Sequence, residues 1–310
     1  MDSYRKSTLA DLIAPFPFGD FLEGYWGKKP LFLKGEKARI AEVFNRPLGH
    51  DELIAIARDT ANGNHGNFRL YASSPPEADR ETRKPLRAVK IDEVESILQS
   101  SSSLLLENLR DAVLQQFTDS CKKDIGHIGP VQIRSTITPK GGIHPPHIDA
   151  TCSLFVHCEG RKRFTISPRP VLEFPMDAAV VTANGELSWN NHQPEPWEAV
   201  SNIDEGSFIE YVMEPGDVLY FPAGTVHATE SLSDICAGVN FQFVHTPTHY
   251  VILEALRRSM TSNVNWRRIP AIPTRGEAGH LDRLSIYRHF MSERLEELSE
   301  AVASIKPEDF

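Results

Sequence analysis

The chain has 310 residues, 40% apolar, 9% aromatic and 24% charged, which is globular composition and excludes disorder as the main state. At this length folding buries about three quarters of the surface of the unfolded chain. The core therefore needs neither a disulfide nor a structural metal, and the four cysteines (Cys121, Cys152, Cys158, Cys236) contain no CxxC pair. The net charge of -9 argues against binding of a phosphate backbone, most of all between Arg169 and Arg257, where thirteen Asp and Glu stand without a single Lys or Arg.

In chain order, Asp20-Phe-Leu-Glu-Gly-Tyr-Trp26 has the pattern of a short amphipathic helix and Pro30-Leu-Phe-Leu33 that of a strand. Leu53, Ile54 and Ile56 follow helical spacing after Asp51, and Phe68 to Ala72 reads as a strand ahead of a polar loop (Ser73 to Arg83). Leu104, Leu105, Leu109, Val113, Leu114 and Phe117 predict a further helix that starts at Ser103. From Val131 the texture changes to short runs separated by Gly, Pro and Asn: Val131-Thr138, Cys152-Cys158, Arg163-Ser167, Ile209-Met213, Val218-Phe221 and Ala237-Val244. Closely spaced strands of this kind predict a sandwich or barrel. After Pro247 the pattern returns to helix, at Tyr250-Leu256 and then along the stripe Leu281, Leu284, Tyr287, Phe290, Met291, Leu295, Leu298 and Val302.

The expected organisation is a helix and strand region over 1–125, a β domain over 126–246 and a helical region over 247–310. The fold class is mainly β with flanking helices. With no charged-then-apolar leader and no long apolar run, the expectation is a reduced, soluble, cytoplasmic protein that neither spans a membrane nor binds nucleic acid.

The stretch Gly141-Gly-Ile-His-Pro-Pro-His-Ile-Asp149 carries the chemistry. Residues two apart on a strand share a face, so His147 and Asp149 can present an imidazole and a carboxylate to one point. A third donor follows in Glu214-Pro-Gly-Asp-Val-Leu-Tyr-Phe-Pro-Ala-Gly-Thr-Val-His227. Two histidines and one carboxylate on one face of a divalent metal leave three positions open, as in a non-haem Fe(II) oxygenase.

With His227 eighty residues after His147 and a Glu-Pro-Gly-Asp turn between them, the chain resembles the JmjC-type cupins. These are Fe(II)/2-oxoglutarate oxygenases of the double-stranded β-helix (jelly-roll) fold. In the asparaginyl-hydroxylase and ribosomal-oxygenase branches, a basic residue thirteen positions after the ligand Asp binds the distal carboxylate of 2-oxoglutarate; here that position is Lys162. Asn240 in Gly238-Val-Asn-Phe241 is similar to an Asn near the metal-side carboxylate, and Phe18 to Leu31 resembles the amino-terminal entry of those proteins. Where the asparaginyl hydroxylases carry a hydroxyl residue and an Asn, this chain has His144 and Ser153. Phe155 shares strand parity with Ser153 and is expected to line the same pocket.

The resemblance implies His147, Asp149 and His227 as the metal-binding and catalytic set, with Fe(II), 2-oxoglutarate and O2 as the reacting partners. Lys162, Asn240, Ser153, Phe155 and His144 are the candidate cosubstrate residues. The implied activity is hydroxylation of a protein or peptide side chain, a cationic one given the acid-rich, base-free stretch. The alternatives are hydroxylation or N-demethylation of a small metabolite or carrier-bound amino acid, and a metal-binding cupin that is an isomerase or a sensor; Lys162 is the feature that separates an oxygenase from these last two. Other readings stay open. His157 is a pocket neighbour or a hydrogen-bonded core residue, Trp189 and Trp197 cover a substrate or anchor their loop, and no partner is named for His192, His245 or His249. The opposite parity of Cys152 and Cys158 makes them core thiols. The carboxy-terminal stripe packs within the chain or forms a homodimer through residues 250–305.

Overall fold

The computed structural model describes residues 7–63, 67–73, 86–190, 195–268 and 280–306. The described strands are β1 Leu31–Leu33, β2 Arg69–Ala72, β3 Arg87–Ala88, β4 Leu104–Glu107, β5 Val131–Pro139, β6 Ile143–Ile148, β7 Thr151–Glu159, β8 Lys162–Ile166, β9 Ala179–Val181, β10 Leu187–Trp189, β11 Ile209–Met213, β12 Val218–Phe221, β13 His227–Ser231 and β14 Ile235–Val244. They form two antiparallel sheets, ordered β1-β12-β7-β14-β5-β4-β2-β3 and β10-β9-β6-β13-β8-β11. Four strands of each sheet, β12-β7-β14-β5 and β6-β13-β8-β11, make the double-stranded β-helix, and the flanking helices complete a mainly β fold of the expected class. Because β1 and β2 to β4 hydrogen-bond into the sheet that holds β5 and β12, Met1–His245 is one compact unit and Thr246–Phe310 a second.

Strand alternation assigns the two faces of β7. Cys152, Leu154, Val156 and Cys158 point into a core shared with helices Leu9–Ile13, Phe18–Gly24, Lys37–Phe44 and Ala112–Ile125, where Phe21, Phe44, Phe117, Tyr220, Phe241 and Phe243 are fully buried. Ser153, Phe155 and His157 point the other way, into the barrel, where Phe155 packs with Phe164, Ile166, Met213, Leu219 and Phe221. All four cysteines are buried free thiols, and Cys152 and Cys158 sit in the helix-side core as expected.

One helix boundary is corrected. Leu104 and Leu105 belong to strand β4, with Leu104 and Leu106 buried and their neighbours less so, paired on one side to β2 and on the other to β5. Asn108 at φ 57° ends that strand, and the helix starts at Ala112, where the Asp111 carboxylate accepts from the Val113 and Leu114 amides at 3.0 Å. Three consecutive leucines satisfy either period, and pairing between two partner strands decides for the strand.

The Glu-Pro-Gly-Asp turn proves to be a structural lock. Gly216 has φ 105°, and a Cβ there would run into the Glu36 backbone. Asp217 is fully buried and accepts from the Gly35 amide (2.9 Å), the Glu214 amide (2.8 Å) and Lys34 Nζ (2.9 Å), which pins the segment after β1 to the start of β12. In the second unit, helix Thr248–Ser262 packs on helix His280–Ser304, which contains the stripe from 281 to 302; the side chains of Leu281 and Leu284 lie outside the described residues. Removing the lock strands the Gly35 and Glu214 amide donors, so Asp217→Ala should lower the unfolding free energy by about 3 kcal/mol. Urea denaturation of the two proteins checks this; a change within error would show that the turn is not anchored by its carboxylate.

Candidate metal centre

Backbone register brings the three donors together. β13 runs antiparallel to β6 with His227 directly opposite His147, and their ring centroids are 4.1 Å apart. Asp149 lies just beyond β6, and its carbonyl accepts from the Gly224 amide at 2.9 Å, which ties the corner after β6 to the loop before β13. One donor atom from each of His147, Asp149 and His227 falls within 4.8 Å of the other two, the only such group among the described residues.

The two imidazoles are oriented by the same local device. His147 Nδ1 lies 2.8 Å from the Pro145 carbonyl and His227 Nδ1 3.1 Å from the Thr225 carbonyl, each two residues upstream. A carbonyl only accepts, so the proton sits on Nδ1 and Nε2 is left bare for a metal. Burial, together with His147 beside it, drives His227 down to about 4, so its ring is neutral at pH 7. Burial pushes the Asp149 carboxyl up, but the fields of His147, His227, Arg134 and His144 outweigh it and hold the group ionised, below its ordinary value. Two imidazoles with their Nε2 atoms turned inward and one ionised carboxylate fit a divalent ion of the Fe(II) type.

The donors open on a cavity of about 520 Å3. Lys162, on β8, is almost fully buried in its wall: Nζ donates to Thr136 Oγ1 at 3.2 Å and lies 5.5 Å and 6.0 Å from the Phe155 and Phe164 ring centres. Burial lowers its ammonium from the ordinary 10.5 to about 8. Phe155 reaches this position because Gly238 on β14 has no side chain; a Cβ there would strike the ring. Asn240 and His144 also line the cavity. Ser153 stands behind the wall, its Oγ accepting from Asn240 Nδ2 at 3.3 Å.

Outside this set, His157 is a buried core residue bonded through Nε2 to the Gly160 carbonyl at 2.9 Å. Trp189 packs on the cluster of Ile148, Ala179, Val181 and Val226 and anchors its loop, whereas Trp197 is exposed. His245 pairs with Cys152 (Nε2 to Sγ 3.2 Å), His249 stacks on Tyr250, and His192 lies outside the described residues. Sequence reasoning missed Thr136, Gln242 and the Arg134–Glu107 ion pair (3.0 Å), all in the cavity wall. Their signal was strand parity: Arg134 and Thr136 alternate on β5, and Gln242 stands two residues after Asn240 on β14.

Residues 108–250, which hold the three donors, Lys162 and Asn240, match the JmjC domain family. Over this part the chain is similar to JmjC domains. This is the family that the sequence resemblance indicated, and the donor set fits the Fe(II)- and 2-oxoglutarate-dependent dioxygenase class that the resemblance implies. The uncharacterized protein YxbC of Bacillus subtilis is 21% identical over 99% of this chain and 91% of its own length. Ribosomal oxygenase 1 of Gallus gallus is 25% identical over 75% of this chain, and the bifunctional lysine-specific demethylase and histidyl-hydroxylase NO66 of Aedes aegypti 23% over 73%. The matched part spans about a third of each of these two relatives (36% and 33%). The fold is shared with YcfD, a ribosomal oxygenase from Escherichia coli solved in complex with cobalt and 2-oxoglutarate, at a TM-score of 0.51 and 18% identity over 96% of this chain and 69% of that one.

In this JmjC-like region Gly224 has φ 76°, and a Cβ would run into the Leu172 carbonyl. Gly224→Ala should therefore cost about 2 kcal/mol in stability and weaken Co(II) uptake by displacing the contact to Asp149. Calorimetry with and without Co(II) reads both; unaltered melting and binding would show that this loop is not what holds the ligands in place.

Proposed function

We propose that the protein is an Fe(II)- and 2-oxoglutarate-dependent hydroxylase of a protein or peptide side chain, with preference for a cationic one. The observation that carries this is the placement of a buried lysine, Lys162, with no carboxylate partner among the described residues, in the same cavity as the His147, Asp149 and His227 donors. An isomerase or sensor has no use for such a charge; a dicarboxylate cosubstrate does. Fe(II) held by these three residues would supply three open coordination positions for the cosubstrate's keto-acid end and O2, and with them the oxidation of a substrate C–H bond.

The chain's own residues do the rest. Lys162, steadied by Thr136, receives the distal carboxylate of 2-oxoglutarate through a charge-assisted bond in a dry environment. Phe155, Phe164 and Phe221 exclude water, and Asn240 with Ser153 behind it contacts the metal-side carboxylate. Glu107 and Asp177 line the cavity, and the base-free stretch 170–256 adds negative field around it, which favours a cationic side chain and disfavours nucleic acid. The names of the relatives point the same way, to lysine, histidine and ribosomal substrates. An N-methyl group removed instead of a carbon hydroxylated, or a free metabolite in place of a peptide, uses the same residues. Among the described residues no helix is long and apolar enough to cross a membrane.

The second unit supports a homodimer through residues 250–305. Along its two helices Leu253, Tyr287, Met291, Leu295 and Val302 are exposed, Leu295 to 60%, and a second copy would cover them. Light scattering at micromolar concentration should find a species of twice the 34.7 kDa chain mass, which Leu295→Arg converts toward monomer; a monodisperse wild-type monomer refutes the dimer.

Anaerobic addition of Fe(II) and 2-oxoglutarate should give the weak visible absorption of the chelate, lost when His147, Asp149 or His227 is replaced by Ala. Lys162→Ala should raise the 2-oxoglutarate requirement roughly 30- to 150-fold, the equivalent of about 2 to 3 kcal/mol for a buried charge-assisted bond. Since the lysine is charged below about 8 and neutral above, wild-type affinity for 2-oxoglutarate should hold to pH 8 and then fall. The fall should be about tenfold per pH unit. An unaltered requirement in Lys162→Ala would assign the carboxylate to another residue.

A further inference from the structure

The three metal donors are not held alike. The imidazoles of His147 and His227 are oriented by main-chain carbonyls, whereas the Asp149 carboxylate accepts one hydrogen bond among the described residues, from the side chain of Gln242 (Nε2 to Oδ2, 3.0 Å). Gln242 is 2% exposed, on β14, two residues beyond Asn240 and on the same inward face. Its orientation is dictated by its partner, because an ionised carboxylate only accepts and the amide must therefore turn its nitrogen to Asp149. The other end of the amide, Oε1, is left buried without a hydrogen-bond partner. Asn240 also leaves its Oδ1 without a partner, but what it faces is the Ser153 hydroxyl, which can donate or accept, so nothing fixes its amide in one orientation as the carboxylate fixes that of Gln242. A buried carboxamide that leaves its own acceptor unsatisfied in order to keep a donor on a metal ligand is what an orienting group looks like.

We propose that Gln242 is a positioning residue of the metal centre: by holding Asp149 Oδ2 it keeps the carboxylate aligned with the two imidazoles, so that the site is formed before the ion arrives. This rests on the metal-centre reading above. Gln242→Met, of similar volume but without a donor, should weaken Co(II) binding by about 10- to 100-fold. It should also alter the visible bands of the bound Co(II), while the melting temperature of the metal-free protein holds. In an Asp149→Ala background the same substitution should change Co(II) affinity no further, because there is no carboxylate left to align. Should the Met variant fail to fold, Gln242→Asn, which keeps the amide but draws it back by one methylene, carries the same expectation. A wild-type protein that binds one Co(II) and a variant that binds it with equal affinity and equal spectrum overturn the role of Gln242 and leave the metal centre standing. Equal losses in both backgrounds overturn it too, since the effect then passes through packing. A wild-type protein that takes up no Co(II) at all overturns the metal centre and this role together.

Discussion

The register between β6 and β13 is the constraint on which the site depends. Side chains alternate across a strand, so a slip of one residue would turn His147 or His227 out of the barrel. Two features keep the register. Gly224 donates its amide to Asp149 in a conformation that only glycine adopts freely, and β13 is paired on its far side to β8, where His227 stands opposite Ile166. The same pairing carries Ser231 opposite Lys162, so one strand fixes both a metal donor and the lysine-bearing strand beside it. The proposed metal end and carboxylate end of the cavity are thus spaced by a single ladder.

Burial of charge inside this ladder is costly, and the chain retains it at two points. The Asp149 carboxyl is held below its ordinary value by the groups around it, Arg134 among them, against the cost of burial. Among the described residues Lys162 has a hydroxyl and two aromatic faces beside it, and its lowered pKa is the signature of an ammonium kept in apolar surroundings. Stability must come from elsewhere, and the aromatic core between the amino-terminal helices and the outer face of the larger sheet supplies it. The Asp217 lock serves the same end from the other side, joining the segment after β1 to β12.

Much of this was legible in the sequence, for specific reasons. The strands Ile209–Met213 and Val218–Phe221 match their expected limits because turn residues bound them on both sides. Parity put His147 and Asp149 on one face, and the resemblance to the JmjC-type cupins joined His227, eighty residues on, to them. Parity gives Thr136 and Gln242 a face but not a role, since each matters only through a partner 26 or 93 residues away, and sequence spacing says nothing of which strands become neighbours. The helix drawn through Leu104 failed for the same reason: the pairing of β4 with β2 and β5 is a tertiary fact, and it overrode a local period.

The carbonyls that orient the two imidazoles belong to Pro145 and Thr225, and a main-chain oxygen survives any change of side chain at those positions. The tautomer of both ligands is therefore protected from point mutation everywhere except at the histidines themselves or where the backbone is bent. The carboxylate has no such protection. As sequences of this kind diverge, the imidazole half of the centre can stay constant in form while the surroundings of Asp149 drift, and differences in metal preference between descendants would arise on that side of the ion.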